Sequence, residues 1–284
     1  MTAPVHNETQ PDRYVRANGL DIYYEEHGQG KPLILIHGGA LTGSSWQPYL
    51  AAFAEHYRVI TPDSRGHGRT ANPAGSMSFR SLADDVAALV RALDLHKPLI
   101  YGYSDGGQVA LEIGMRYPDL PRALLVGGAH LELTEGSRRW VRSILGDAHS
   151  PEVDFEKFER EHPDFAAMLK KDHAHQGPEG WKALLKQIKP MWNARLNYTS
   201  DDFARVVVRT LVIVGDRDEF VPVEDAVRMY RLLPDAELAV VAGSDHTDLI
   251  FSPAKIQIIQ PLILEFLLRH SGASNQAAAP ESMS

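Results

Sequence analysis

One segment of the sequence is shaped for nucleophilic chemistry, Gly102-Tyr103-Ser104-Asp105-Gly106-Gly107. It follows the apolar run PLIY (98–101) and opens a helical pattern over 108–117. Glycines on both sides of a serine, between a strand and a helix, permit a strained turn that lifts the hydroxyl clear of the backbone. The competing reading is a glycine-rich turn before an ordinary helix. A free serine is a weak nucleophile; it needs a base, and the base needs an orienting acid. His246 stands in Gly243-Ser244-Asp245-His246, after the run 237–241. Asp218 stands in Gly215-Asp216-Arg217-Asp218, after the run 210–214, with Asp216 as its competitor. An oxyanion needs two donors. Gly39, in His37-Gly38-Gly39-Ala40 after the run 32–36, offers an amide with no side chain in the way, and the Asp105 amide is the second.

These loops require a common sheet edge. Apolar runs at 32–36, 58–61, 98–101, 123–126, 210–214 and 237–241 read as strands, most of them separated by helical patterns. Asn18-Gly19 between two alternating stretches in 14–26 reads as a hairpin. Leu82, Val86, Leu89, Val90 and Leu93 form one helical face, and Ile256, Ile259, Ile263, Phe266 and Leu267 another. The expected fold class is therefore α/β, a mostly parallel sheet flanked by helices. The alternation breaks over 131–208, which is helical and charged. We expect a helical cap there, over the carboxyl ends of the strands; the alternative is a subdomain unrelated to the site. The expected organisation is a discontinuous core (13–130 and 209–270), the cap, a flexible N-terminus (1–12) and a disordered tail (271–284).

Composition narrows the function classes. The 284 residues are 44% hydrophobic and 23% charged, which excludes a disordered or collagen-like chain. There is no cysteine, which removes disulfides, a thiol nucleophile and thiolate metal sites. A net charge of −8 argues against nucleic acid or an anionic membrane as partner. No apolar run approaches the ~20 residues that span a bilayer, and no secretory signal is visible, so a cytoplasmic location is expected.

Taken together, the His-Gly-Gly loop, Asp63-Ser64-Arg65-Gly66-His67-Gly68, the serine elbow, Gly-Asp-Arg-Asp and the late Gly-Ser-Asp-His stand in an order that resembles the α/β-hydrolase fold, from Tyr14 to about His270. The resemblance implies a Ser104–His246–Asp218 triad, since the family spacing Gly-x-x-Asp falls on Asp218. Members similar to haloalkane dehalogenases and epoxide hydrolases carry Asp where this chain has Ser104. Epoxide hydrolases also tend to have Pro where it has Ala40. Both departures point to acyl chemistry. Gly-x-Ser-Asp-Gly-Gly is similar to enzymes of the valacyclovir hydrolase type, where the Asp after the serine is associated with a substrate ammonium; here that residue is Asp105. The plainer role for Asp105 is as a carboxylate in the first helical turn.

The expected activity is cleavage of a small-molecule carboxylic ester without metal or organic cofactor. A lactone, an α-amino ester, a diketone or peroxide as acceptor would use the same triad, and a slow ligand receptor is the reading from another class. Among residues of the 131–208 segment, Trp140, Met191 and Trp192 are candidate substrate contacts, with Phe165, Met168 and Trp181 as further members of either the pocket or a local core. His37 and His67 read as loop-fixing residues. His130, His162, His173 and His175 have no acidic set at metal-ligand spacing. Monomer or homodimer stays open.

Overall fold

The structure is a computed structural model and describes residues 13–272; the expected flexible N-terminus and the stretch after Gly272 lie outside the described residues. The chain opens with β1 (Arg13–Ala17) and β2 (Leu20–His27), joined at Asn18 and Gly19. Both turn residues have positive φ, 48° and 76°, as a two-residue hairpin loop demands. β3 (Lys31–Ile36), β4 (Tyr57–Pro62), β5 (Leu99–Tyr103), β6 (Ala123–Gly127), β7 (Thr210–Gly215) and β8 (Ala236–Val241) complete one sheet. Its order is β1-β2-β4-β3-β5-β6-β7-β8, with β1/β2 and β2/β4 antiparallel and the rest parallel.

The continuous apolar strands are explained by burial on both faces. Ile34, Ile36, Ile100, Leu124, Val126, Val212 and Val214 point to one side. Leu33, Leu35, Leu99, Tyr101, Leu125, Leu211 and Ile213 point to the other. The first side is covered by α2 (Phe79–Ala92) and α3 (Asp105–Arg116), with α9 (Val223–Leu232); the second by α1 (Gln47–Ala54) and α11 (Pro253–His270). α2 starts on a reciprocal Ser78–Ser81 capping box and buries Leu82, Val86, Leu89 and Val90, while Leu93 caps its end half-buried. All five expected residues of the α11 stripe are buried. α3 begins at Asp105, three residues before the helical pattern, because glycines obscure helical periodicity. Ser271 and Gly272 depart from the expected tail: Ser271 is buried at the end of α11, and its hydroxyl donates to the Leu268 carbonyl at 3.0 Å.

Between β6 and β7 the chain forms α4 (Glu135–Leu145), α5 (Phe155–Glu161), α6 (Pro163–Asp172), α7 (Gly180–Asn193) and α8 (Ser200–Ala204). Val141, Ile144, Phe158, Trp181, Leu185 and Ile188 from this segment join the apolar cluster on the α2/α3 face. A short α10 (Asp248–Phe251) precedes α11. The chain leaves β3 toward β4 on one side, and β5 returns to the other side of β3. The crevice at such a reversal is where open parallel sheets bind ligands.

Candidate active site

The serine corner is built by steric exclusion. A Cβ on Gly102 would lie 1.9 Å from the Gly106 carbonyl oxygen, and one on Gly106 would lie 2.1 Å from that of Ile36. Only glycine lets α3 turn back this tightly over β5. Ser104, at the corner, has φ 56° and ψ −119°, in the left-handed half of the map that costs an L-residue strain. Its N–H is tied to the Gly127 carbonyl at 2.8 Å.

The imidazole arrives from the end of β8. The Asp245 carboxylate accepts the N–H groups of Thr247 (2.7 Å) and Asp248 (2.9 Å), and Asp248 in turn accepts the Asp245 N–H at 3.0 Å. This closed turn presents His246. The Tyr103 hydroxyl donates to the His246 carbonyl at 2.9 Å, and the Phe220 ring packs 4.9 Å from the imidazole. His246 Nε2 lies 2.9 Å from Ser104 Oγ, and Nδ1 lies 2.8 Å from Asp218 Oδ2.

The Asp218 side chain is fully buried in the loop that follows β7. Its second oxygen accepts the N–H groups of Phe220 (2.9 Å) and Val221 (2.8 Å), so the carboxylate is hydrogen-bonded on both sides. An acceptor at Nδ1 selects the tautomer with the proton there, which leaves Nε2 bare toward the serine. Asp216 instead accepts the Gly243 N–H and braces the neighbouring loop.

Gly39 closes the β3 side. β3 and β5 run side by side with Ile36 opposite Gly102, so the Gly39 loop faces the serine corner. Neither the Gly39 nor the Asp105 N–H donates to another group among the described residues. The Asp105 carboxylate accepts the Trp192 indole N–H at 2.7 Å, and a Cβ on Gly39 would lie 2.3 Å from Asp105 Oδ2. Burial raises this carboxyl to about 6, opposed by the Trp192 hydrogen bond and then by the nearby His246. His37 is a loop-fixing residue: its Nε2 accepts the Ser64 N–H at 3.0 Å, and Nδ1 donates to the Gly38 carbonyl at 2.7 Å.

A cavity of about 390 Å³ lies over Ser104 and His246. Trp140, Phe165, Met168 and Trp192 line it. Met191 does not, contrary to the sequence expectation; it is buried in the apolar cluster, as is Trp181. Neighbours on a helix point about 100° apart, so once Trp192 faces the cavity Met191 faces the core. His130, His162, Phe220 and Ile250 also line the cavity and carry no local motif that marks them. Burial, followed by the proximity of His246, lowers the His130 imidazole to about 4, so it is neutral. A larger space of about 560 Å³ opens between the residues after α7 and α9, but Ser104, His246 and Asp218 do not line it.

A model described as the alpha/beta hydrolase family matches residues 33–256, from β3 into α11, and spans the loops that carry Gly39, Ser104, Asp218 and His246. The chain belongs to this family. Its relatives include a putative non-heme chloroperoxidase of Synechocystis, 29% identical over 269 residues, covering 87% of this chain and 95% of the relative. A 2-hydroxy-6-oxo-2,4-heptadienoate hydrolase of Pseudomonas putida is 26% identical over 251 residues, 82% of this chain and 89% of the relative. Among solved structures, a meta-cleavage product hydrolase from Pseudomonas fluorescens matches with TM-score 0.72 and 25% identity, covering 90% of this chain and 97% of the other. Among the described residues of this alpha/beta hydrolase, no helix is long and apolar enough to cross a membrane.

Proposed function

We propose that this chain is a serine hydrolase that cleaves carboxylic esters through an acyl-enzyme on Ser104. The observation that carries the reading is the hydrogen-bonded line from Ser104 Oγ through His246 to the buried Asp218, at 2.9 and 2.8 Å. His246 Nε2 takes the serine proton as Oγ attacks the ester carbonyl. The Gly39 and Asp105 amides receive the oxyanion. Collapse of the tetrahedral intermediate breaks the bond to the alkoxide, which leaves with the proton from Nε2. Water, deprotonated by the same nitrogen, then releases the acid and restores Ser104. Asp218 holds the imidazole and stabilises its cation. No step calls for a metal or organic cofactor.

In this reading α4–α8 act as a cap that supplies the substrate wall. An apolar lining of Trp140, Phe165, Met168 and Trp192 suits an apolar or aromatic acyl group. Asp105 is the acidic side chain in that lining, which keeps a cationic α-amino ester as a special case of the substrate class.

Ser104→Ala should lower p-nitrophenyl acetate turnover by about 10⁴-fold or more and abolish labelling by a fluorophosphonate. Undiminished turnover in that variant would overturn the mechanism, and a folded wild type with neither turnover nor labelling would favour a ligand receptor. The second reading is hydrolysis of a carbon–carbon bond in a diketone, favoured by the similarity to the 2-hydroxy-6-oxo-2,4-heptadienoate hydrolase. A panel of acyl esters, lactones, amino esters and vinylogous diketones, each with and without hydrogen peroxide, separates these substrates by kcat/KM.

A further inference from the structure

The residues behind the oxyanion loop form a second constellation, one the triad does not use. Gly38 and Leu41 close a turn, the Leu41 N–H donating to the Gly38 carbonyl at 3.2 Å. Its two central residues are Gly39 and Ala40. Ala40 is fully buried with φ 61°, the left-handed value that a turn of this kind normally assigns to glycine. An alanine stays there only if its surroundings hold it.

Two histidines hold it. The Ala40 N–H donates to His67 Nε2 at 3.2 Å, and the Ala40 carbonyl lies 3.2 Å from His173 Nε2. The tautomers follow from the partners. His173 Nδ1 accepts the Gly68 N–H at 2.9 Å, so it is bare and Nε2 carries the proton that Ala40 accepts. His67 Nε2 is bare for the same reason, and Nδ1 donates to the Arg65 carbonyl at 3.0 Å. Burial holds both imidazoles below their ordinary range, His173 to about 4, so neither is charged near neutrality.

His173 belongs to the inserted helical segment, whereas Ala40 and Gly68 belong to the sheet-end loops. The turn it opens grips the same loop with three more hydrogen bonds. The Gln176 side-chain amide donates to the Gly66 carbonyl (3.1 Å) and the Gly68 carbonyl (3.0 Å), and His175 Nε2 accepts from Arg69 Nε at 3.1 Å. At the other half of the oxyanion pair, the inserted segment makes the Trp192 bond to Asp105.

We infer that His173 is a positioning residue for the oxyanion hole: by holding the Ala40 carbonyl it sets the Gly39 amide toward the developing negative charge, and so makes catalysis depend on the docking of α6 and α7. The inference rests on the ester-hydrolase reading of Ser104.

Two substitutions take the imidazole apart. His173→Asn keeps an acceptor near the place of Nδ1 for Gly68 but removes the donor to Ala40. His173→Gln keeps an amide N–H near the place of Nε2. With p-nitrophenyl acetate, His173→Asn should lower kcat about 10- to 100-fold, with KM within about twofold. It should weaken a trifluoromethyl ketone, which forms an oxyanion adduct on Ser104, by the same factor. His173→Gln should recover most of both losses. An unchanged kcat, a loss confined to KM, or a trifluoromethyl ketone bound as tightly as by wild type would each overturn the inference. If His173→Asn does not fold, Gln176→Leu loosens the same turn from a half-buried position. It should lower kcat at least about threefold at constant KM, and an unchanged kcat there overturns the inference equally. Ser104→Ala measured alongside separates the two readings: full turnover in that variant removes the triad, whereas its loss together with a normal His173→Asn removes only the role of His173.

Discussion

The sheet edge and the inserted helices meet at one cavity and are built by opposite means. At the edge, backbone contact decides position: the serine corner leaves no room for a single carbon at Gly102 or Gly106, and Asp218 is held by two amides and an imidazole. In the inserted segment, side chains decide. Trp140 packs on Trp192 at 5.6 Å and on Phe165 at 6.3 Å, and these rings form a wall with few polar obligations. Backbone-determined geometry tolerates almost no substitution, whereas an apolar wall accepts change in proportion to the volume removed. The expectation is a steep, substrate-independent response at the edge and a graded, substrate-dependent one above it.

The comparison is broken most directly at Asp218. Asp218→Asn reverses the preferred tautomer of His246 and should lower kcat by about 10⁴-fold for every ester tested. A loss that differed widely between short and bulky esters would place Asp218 with the wall instead of the edge. Gly102→Ala tests the backbone argument through folding. A Cβ 1.9 Å from the Gly106 carbonyl has to displace α3 or β5, at a cost of about 3 kcal/mol or more, seen as insoluble protein or a melting temperature lower by roughly 6–12 °C. A normal melting curve would show that the corner has slack.

Trp140→Ala examines the other region. It should raise KM about tenfold for aromatic or long acyl esters and leave p-nitrophenyl acetate turnover within about threefold. An equal loss on both substrates would mean that the wall positions the serine as well. The smallest effect is expected at Asp105, where the two regions touch through Trp192. Burial raises this carboxyl from its ordinary 3.8 to about 6. The folded state thus favours the protonated form, so this contribution to stability is full below about 4 and is lost as pH rises through about 6. Asp105→Asn removes the ionisation. Its melting temperature relative to wild type should climb between pH 4 and pH 7 and then level off, by a few degrees in all. A difference that is flat across that range would contradict the buried setting of the carboxylate. The same variant separates the amino-ester case, since only cationic esters should lose selectively.

Much of the edge was legible because its requirements lie between adjacent residues. Gly-x-Ser-x-Gly after an apolar run describes a strand, a sharp corner and a helix with little help from elsewhere. Asn18-Gly19 and the five-residue stripe of α11 were readable on the same local grounds. The wall was legible only as a composition. Trp140 and Trp192 reach the cavity while Met191 and Trp181 do not, and that assignment depends on how α4 and α7 rotate against the sheet. His173, to which the sequence assigned no role, is a hydrogen-bonding partner of Ala40 and Gly68 across more than a hundred residues of chain.

The sequence by itself determined the α/β alternation, the strand-end positions of Ser104, Asp218 and His246, and the exclusion of a thiol nucleophile in a chain without cysteine. Only the tertiary structure decided which aromatic rings face the cavity, that the Asp105 carboxylate turns toward Trp192, and that an alanine occupies a glycine-like conformation behind Gly39. The reason is the range of the forces involved. Turn strain and burial periodicity act between near neighbours and are written into short stretches of residues. Side-chain direction and imidazole tautomer follow from partners that the chain meets only once it has folded.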